Sequence, residues 1–134
     1  MEKFIKINSS VNRFCEIEDF LNSIHSQFGL SRKLYCRIYI AIFEAINNAI
    51  QHGNRNDITK FVQIFFYDEC NSYVFLVEDE GDGFDFNSVS DPTLFDNLRR
   101  ESGRGIFFMM KYADEISFLN NGSCVKLIFY KTSD

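Results

Sequence analysis

The run from Leu34 to Ile50 is apolar on nearly every side, yet it carries Glu44, Asn47 and Asn48. Leu34, Ile38, Ala41, Ile42, Ala45 and Ala49 recur at spacings of three and four, which marks one face of a helix. Tyr35, Tyr39, Ile46 and Ile50 make much of the remaining surface apolar, so this helix belongs at the centre of the fold. Glu44 and Asn48 are four apart and project from the same face, one turn from each other. Gln51 and His52 extend the polar patch. A carboxylate and carboxamides on so apolar a helix are costly to bury without partners. The fold must therefore bring something polar to meet them.

The rest of the chain limits what that can be. Its 134 residues are the length of one ordinary domain, spanning 1–134, and 46% of them are apolar, enough for a real core. With 16 Phe and no Trp, that core is built largely on phenylalanine. A net charge of -5, with scattered basic residues that are adjacent only at Arg32-Lys33 and Arg99-Arg100, argues against a nucleic-acid binder. No apolar stretch approaches the length of a membrane span, and the N-terminal Met-Glu-Lys-Phe-Ile-Lys lacks the apolar region of a signal peptide. Cys15, Cys36, Cys70 and Cys124 are far apart with no CxxC spacing, which reads as reduced thiols in a cytoplasmic protein. A zinc site would need two histidines and these dispersed cysteines to converge by chance.

Element by element, Phe4 to Ile7 alternates weakly and reads as a short edge strand. Asn8-Ser9-Ser10 offers a helix N-cap, and Val11, Phe14, Ile17, Leu21, Ile24 and Phe28 follow as one amphipathic face. Gly29 is placed to cap that helix, and Ser31 to open the next. After the polar loop His52 to Asp57, Phe61 to Tyr67 and Tyr73 to Asp79 read as a hairpin. The continuous run Val74 to Val77 suggests that its second strand lies in the middle of a sheet. Gly81 to Gly105 is hard to read as regular structure, and a loop of that length inside a domain is usually functional or disordered. Ile106 to Tyr112 looks like a short helix, and Glu115 to Leu119 and Cys124 to Lys131 form a last hairpin around Asn120-Asn121-Gly122. The expected fold is α+β: a two-layer sandwich of a largely antiparallel sheet covered on one face by helices.

Two further motifs bear chemistry. Asp79-x-Gly81-x-Gly83 follows directly from a strand; its carboxylate can accept from an exocyclic amine, and its glycines let the backbone approach a flat ring. Gly103-Arg104-Gly105 precedes a helix, where exposed amides and the helix dipole favour an anion. Either alone also reads as an ordinary turn or cap. Their combination, in order, with Glu44-x-x-x-Asn48 and with Ser102 ahead of the second glycine motif, resembles the GHKL (Bergerat-fold) ATPase superfamily of gyrase-type topoisomerases, heat-shock chaperones, histidine kinases and mismatch-repair ATPases. Within it the chain is similar to the anti-sigma-factor serine/threonine kinases, from Ser10 to Tyr130.

That resemblance implies ATP and Mg²⁺ as cofactors. It makes Glu44 the general base and Asn48 the Mg²⁺ ligand, with Asn47 in support. It puts Asp79 on the adenine amino group, Gly81 and Gly83 along the base, and Ser123 at a position usually held by threonine near the adenine. Residues 84–104 would form the ATP lid, and the amides of Gly103, Arg104, Gly105 and Ile106 would cradle phosphates; the Arg104 side chain adds charge there or points to solvent. His52 either orients the nucleotide or interacts with the helix dipole. The implied function is phosphorylation of an anti-sigma-factor antagonist, with a sigma factor and that antagonist as partners, a homodimer as a possible assembly, and neither nucleic acid nor membrane bound. The alternative is an ATP-dependent module that sequesters its partner without phosphotransfer. A detached histidine kinase is disfavoured by the lack of dimerisation helices bearing a phosphoacceptor histidine, and a topoisomerase or chaperone fragment by the lack of a transducer domain.

Overall fold

A computed structural model describes residues 2–81 and 108–132. Seven main elements follow in the order β1 (Glu2–Asn8), α1 (Phe14–Phe28), α2 (Arg32–Asn48), β2 (Phe61–Asp68), β3 (Ser72–Glu78), β4 (Glu115–Leu119) and β5 (Cys124–Tyr130). The strands form one sheet in the order β1-β2-β3-β5-β4, and every neighbouring pair is antiparallel. This is the expected α+β sandwich, with β3 in the middle as its continuous apolar run requires.

Alternation along each strand sends one set of side chains to the helices. Val62, Ile64 and Phe66 of β2, Tyr73, Phe75 and Val77 of β3, and Val125, Leu127 and Phe129 of β5 are all buried. The register aligns them: Phe66 faces Phe75, Phe75 faces Leu127, and Val77 faces both Ile64 and Val125. Phe75 meets the Phe66 ring at 5.1 Å and the Phe129 ring edge-on at 5.9 Å, so the phenylalanine-rich composition appears as a ladder of rings across the central strands. Onto this layer α1 lays Ile17, Leu21 and Ile24, and α2 lays Leu34, Ile38, Ala41, Ile42, Ala45 and Ile46. The opposite face of the sheet carries Phe4 against Phe65 and Lys6 over the Phe61 ring.

Local signals act much as the sequence indicates. Gly29 ends α1 in the left-handed region at φ 60°, a conformation that costs a side chain dearly, and the Ser31 hydroxyl accepts from the Leu34 amide to open α2. The first cap differs from expectation. Ser10 accepts from the Asn12 amide and thereby closes a 3₁₀ turn at Val11–Arg13, so the α-helix proper begins only at Phe14. The neighbouring Ser9 is buried and donates to the Lys60 carbonyl instead. The run expected as one helix to Ile50 also changes character: the α-helix stops at Asn48, and Ala49–Gly53 forms a π-helical turn. The hairpin at Asn120-Asn121-Gly122 closes through three successive left-handed residues, at φ 52°, 58° and 95°.

Residues 108–112 are helical and lead into β4. A polar node ties them down. Arg37 of α2 donates to the Tyr112 carbonyl at 2.9 Å and to the Asp114 carboxylate at 3.2 Å, while the other carboxylate oxygen accepts from the Tyr130 amide at 2.7 Å. Among the described residues no helix is long and apolar enough to cross a membrane.

If the two faces of the sheet differ as described, truncating Phe75 leaves a cavity in the ladder, whereas truncating Phe4, which is 52% exposed, leaves little behind. Phe75→Ala should cost about 3–5 kcal/mol in urea unfolding, and Phe4→Ala less than about 1 kcal/mol. Equal losses would contradict this division of the sheet.

Candidate functional site

The end of α2, the end of β3 and the β4–β5 turn meet at one cleft. It is lined by Ala45, Asn48, Ala49, His52 and Gly53 from the helical side, and by Val77, Asp79, Met109, Phe118, Gly122, Ser123 and Val125 from the sheet side. Three residues singled out from sequence, Asn48, Asp79 and Ser123, are thus brought together. Its lining is largely apolar with a few polar groups, Asn48, His52, Asp79 and Ser123, the usual character of a small-molecule site.

Asp79 is the centre of this arrangement. It follows β3 directly, and its backbone amide donates to the Ser123 carbonyl at 2.8 Å, which joins the two sheet-side segments. Its Oδ1 accepts from the Gly81 amide at 2.8 Å. The Gly53 backbone lies so close on the other side that a Cβ there would stand 2.2 Å from Asp79 Oδ2. A Cβ on Gly81 would in turn stand 2.0 Å from the Gly53 carbonyl oxygen. Each glycine is therefore required by space, since any side chain would displace either the carboxylate or the facing backbone. Gly81, the first glycine of the motif, thus serves the carboxylate's setting.

Burial pushes the Asp79 carboxyl up from its ordinary 3.8 to about 6, helped by the charge of Glu78; the Gly81 amide and the charge of Lys60 act against this. The Cys124 thiol behind it is raised to about 11, chiefly by burial and then by Glu78 and Asp79. The Ser123 hydroxyl donates to the Asn120 carbonyl at 2.9 Å. Its proton is thereby committed within the turn, and its lone pairs remain able to accept.

The π-helical turn explains how Gly53 gets there. The Asn54 amide bonds back to the Ala49 carbonyl at 2.8 Å, a five-residue step, and Arg55 and Asn56 then turn the chain with φ of 54° and 60°. Such turns insert one residue into a helix and are frequent at functional sites. His52 lies on this turn, exposed at the mouth of the cleft.

The other sequence-derived residues fall elsewhere. Glu44 lies one turn before Asn48 on α2, half-buried and beside the cleft residues rather than among them. Asn47 accepts from the Gln51 side chain at 3.0 Å, a supporting contact along the helix. Gly83, Ser102, Gly103, Arg104, Gly105 and Ile106, with the whole of the segment 84–104 expected as a lid, lie outside the described residues. Sequence reasoning missed Gly53 and the apolar wall of Met109, Phe118 and Val125; the signal for Gly53 was present only as a glycine at a helix end.

Known proteins are similar to this chain in sequence and in fold. The sequence profile of the histidine kinase-like ATPase domain matches residues 7–129. The serine-protein kinase RsbW of Bacillus subtilis (strain 168) is 29% identical over 107 residues, which cover 75% of this chain and 67% of the relative. A crystal structure of the RsbU and RsbW domains of a Mycobacterium tuberculosis protein superposes with a TM-score of 0.69 at 14% identity, over 96% of this chain and 31% of that one. The chain thus spans about a third of that solved protein, and the likeness there is one of fold.

The setting of Asp79 has a consequence for stability. Its carboxyl binds a proton more tightly folded, near 6, than unfolded, near 3.8. Folding is therefore favoured below about pH 4, weakens as pH rises toward 6, and bears a constant penalty above it. Asp79→Asn keeps an oxygen for the Gly81 amide but has no charge to bury. The variant should be more stable than the parent at pH 7 by about 1 kcal/mol, allowing for partial solvation, and equal to it at pH 4. Thermal unfolding at both pH values is the measurement, and a variant less stable at pH 7 would show that the charge is not penalised.

Proposed function

Because the chain belongs to the histidine kinase-like ATPase domain family, we propose that it is an ATP-dependent protein serine/threonine kinase whose substrate is an anti-sigma-factor antagonist and whose second partner is a sigma factor. The observation that carries this reading is the convergence of Asn48, Asp79 and Ser123 on one partly apolar cleft. The similarity to a relative named a serine-protein kinase supports the reaction class.

In this reading the flat base lies against Val77, Met109, Phe118 and Val125, with Gly53 and Gly81 leaving the Asp79 carboxylate its place at the base's edge. Ionised Asp79 accepts from the adenine amino group, and the Ser123 hydroxyl oxygen offers a second acceptor nearby. The base then points the phosphates along α2 toward Asn48 and Glu44. A carboxamide oxygen suits Mg²⁺, which prefers oxygen ligands and takes few from protein. That preference fits a cleft where, among the described residues, no cluster of three acidic, histidine or cysteine groups occurs. Asn48 is the residue that would hold the metal, and a bound Mg²⁺ neutralises charge on the phosphates. The sequence motif Gly103 to Ile106 supplies amides for the remaining phosphate charge.

Glu44 is the general base. It takes the proton of the substrate hydroxyl as that oxygen attacks the terminal phosphorus and the bond to the bridging oxygen of ADP breaks. Phosphoryl transfer depends on positioning and charge more than on covalent chemistry with the protein, so one carboxylate one turn from the metal ligand suffices.

Binding and chemistry should separate by mutation. Asp79→Asn should weaken ATP binding about ten- to hundred-fold, the loss of a hydrogen bond to a charged group. Asn48→Ala should weaken chiefly the Mg²⁺-dependent part. Glu44→Gln should retain nucleotide but slow transfer by about 10²–10⁴-fold. Titration calorimetry with Mg·ATP and transfer of radiolabelled phosphate to a candidate antagonist check these outcomes. A wild-type transfer rate in Glu44→Gln would remove it as the base, and wild-type ATP affinity in Asp79→Asn would remove adenine recognition from the cleft.

A further inference from the structure

Asn54 is one of two buried polar residues among those described, at 1% exposure; the other is Ser9, at 3%. Its carboxamide is fully engaged. The oxygen accepts from the Glu80 amide at 2.7 Å, and the nitrogen donates to the Ser9 hydroxyl at 2.7 Å and to the Phe61 carbonyl at 2.9 Å. The Ser9 hydroxyl passes the contact on to the Lys60 carbonyl at 2.9 Å, and the Glu80 carboxylate accepts from the Phe61 amide. One side chain thus joins the end of the π-helical turn to the end of β1, the start of β2 and the exit of β3.

Its place relative to the cleft is what gives this network a purpose beyond stability. Asn54 adjoins Gly53, and Glu80 adjoins Asp79. The hydrogen bond from the Glu80 amide to Asn54 therefore runs beside the close contact of Gly53 with the Asp79 carboxylate, and fixes the flanking residue on each side of it. Among the described residues nothing in the carboxylate's own bonding does this: its backbone partner there is Gly81, on its own strand exit. A buried carboxamide with all its partners satisfied specifies one arrangement, since any shift leaves a donor or acceptor orphaned.

We propose that Asn54 is a positioning residue for the cleft: by tying Gly53 to Glu80 it holds the Asp79 carboxylate pressed against the Gly53 backbone, partly shielded from water and facing the cleft. The effect on nucleotide rests on the ATP reading above; the effect on Asp79 does not.

The test is a carbon-13 NMR titration of the Asp79 carboxyl in the nucleotide-free protein, for wild type, Asn54→Ala and Ser9→Ala. Among the described residues, the charged and titratable groups around Asp79 are Glu78 and Glu80 on either side of it, Lys60 before β2, Cys124 on β5 and His52 on the π-helical turn, and none of them is substituted in these variants. Ser9→Ala removes one arm of the network but leaves the bond to Glu80. With the tie broken, water reaches the carboxylate, and its midpoint should fall by about one pH unit or more in Asn54→Ala, while Ser9→Ala titrates as wild type. ATP affinity should fall about tenfold in Asn54→Ala and stay within about twofold in Ser9→Ala. Where Asn54→Ala does not fold, Asn54→Ser is measured in its place with the same expectations. An unchanged Asp79 midpoint in a folded Asn54 variant would overturn the proposal and leave Asn54 a purely structural tie. A shifted midpoint in a protein that binds no ATP would uphold the positioning role and refute the ATP reading.

Discussion

Much of this molecule is organised around a carboxylate held against a backbone without a side chain between them. The Asp79–Gly53 contact joins the π-helical turn that follows α2 to the exit of β3, and so couples the helical layer to the sheet where the cleft opens. It dictates glycine at 53 and at 81, and it is reached only because the helix ends in a π-helical turn. It also sets the electrostatics. A half-buried carboxyl with one backbone donor among the described residues is less well solvated than in water, and its affinity for a proton rises accordingly. An under-solvated acceptor is a group awaiting a donor, and perturbed groups of this kind cluster at functional sites.

Around that contact the rest of the fold acts as a rigid frame. The ring ladder of Phe66, Phe75 and Phe129 fixes the central strands, and β3 and β5 deliver Asp79 and Ser123 from adjacent positions in the register. Glu78 faces Cys124, so the residues just beyond them, Asp79 and Ser123, emerge side by side and are joined backbone to backbone. On the helical side, the apolar stripe of α2 determines its rotation, and that rotation turns Asn48 to the cleft. The site is thus built on strand and helix ends and not on free loops, which suits groups that must be held to within fractions of an ångström.

How much of this was legible in the sequence depends on the range of each interaction. The stripe of α2, the glycine after α1 and the serine before α2 are local signals, read within a few residues, and they act as expected. The first helix start was misread because Ser9 and Ser10 look alike in sequence, yet one answers a tertiary demand from Lys60 and the other closes a 3₁₀ turn. The π-helical turn was invisible because an apolar run has nearly the same pattern with one residue inserted. Asp79 stood out through its strand and glycines, whereas Ser123 was reached only through family resemblance. Asn54 reads as one more polar residue in a polar loop; its partner Glu80 is 26 positions away, and no spacing rule reports such a bond.

The proton affinity of Asp79 has one more implication. A carboxyl that titrates near 6 is an acceptor on the alkaline side of that value and a donor on the acid side. The polar end of the cleft therefore reverses its hydrogen-bonding sense within a range that living cells visit. Above the midpoint the group matches a ligand that offers a donor; below it, the same carboxyl also offers a proton to a ligand that accepts. In the proposed reading, the base edge that Asp79 favours is in this sense a property of the solution as well as of the fold.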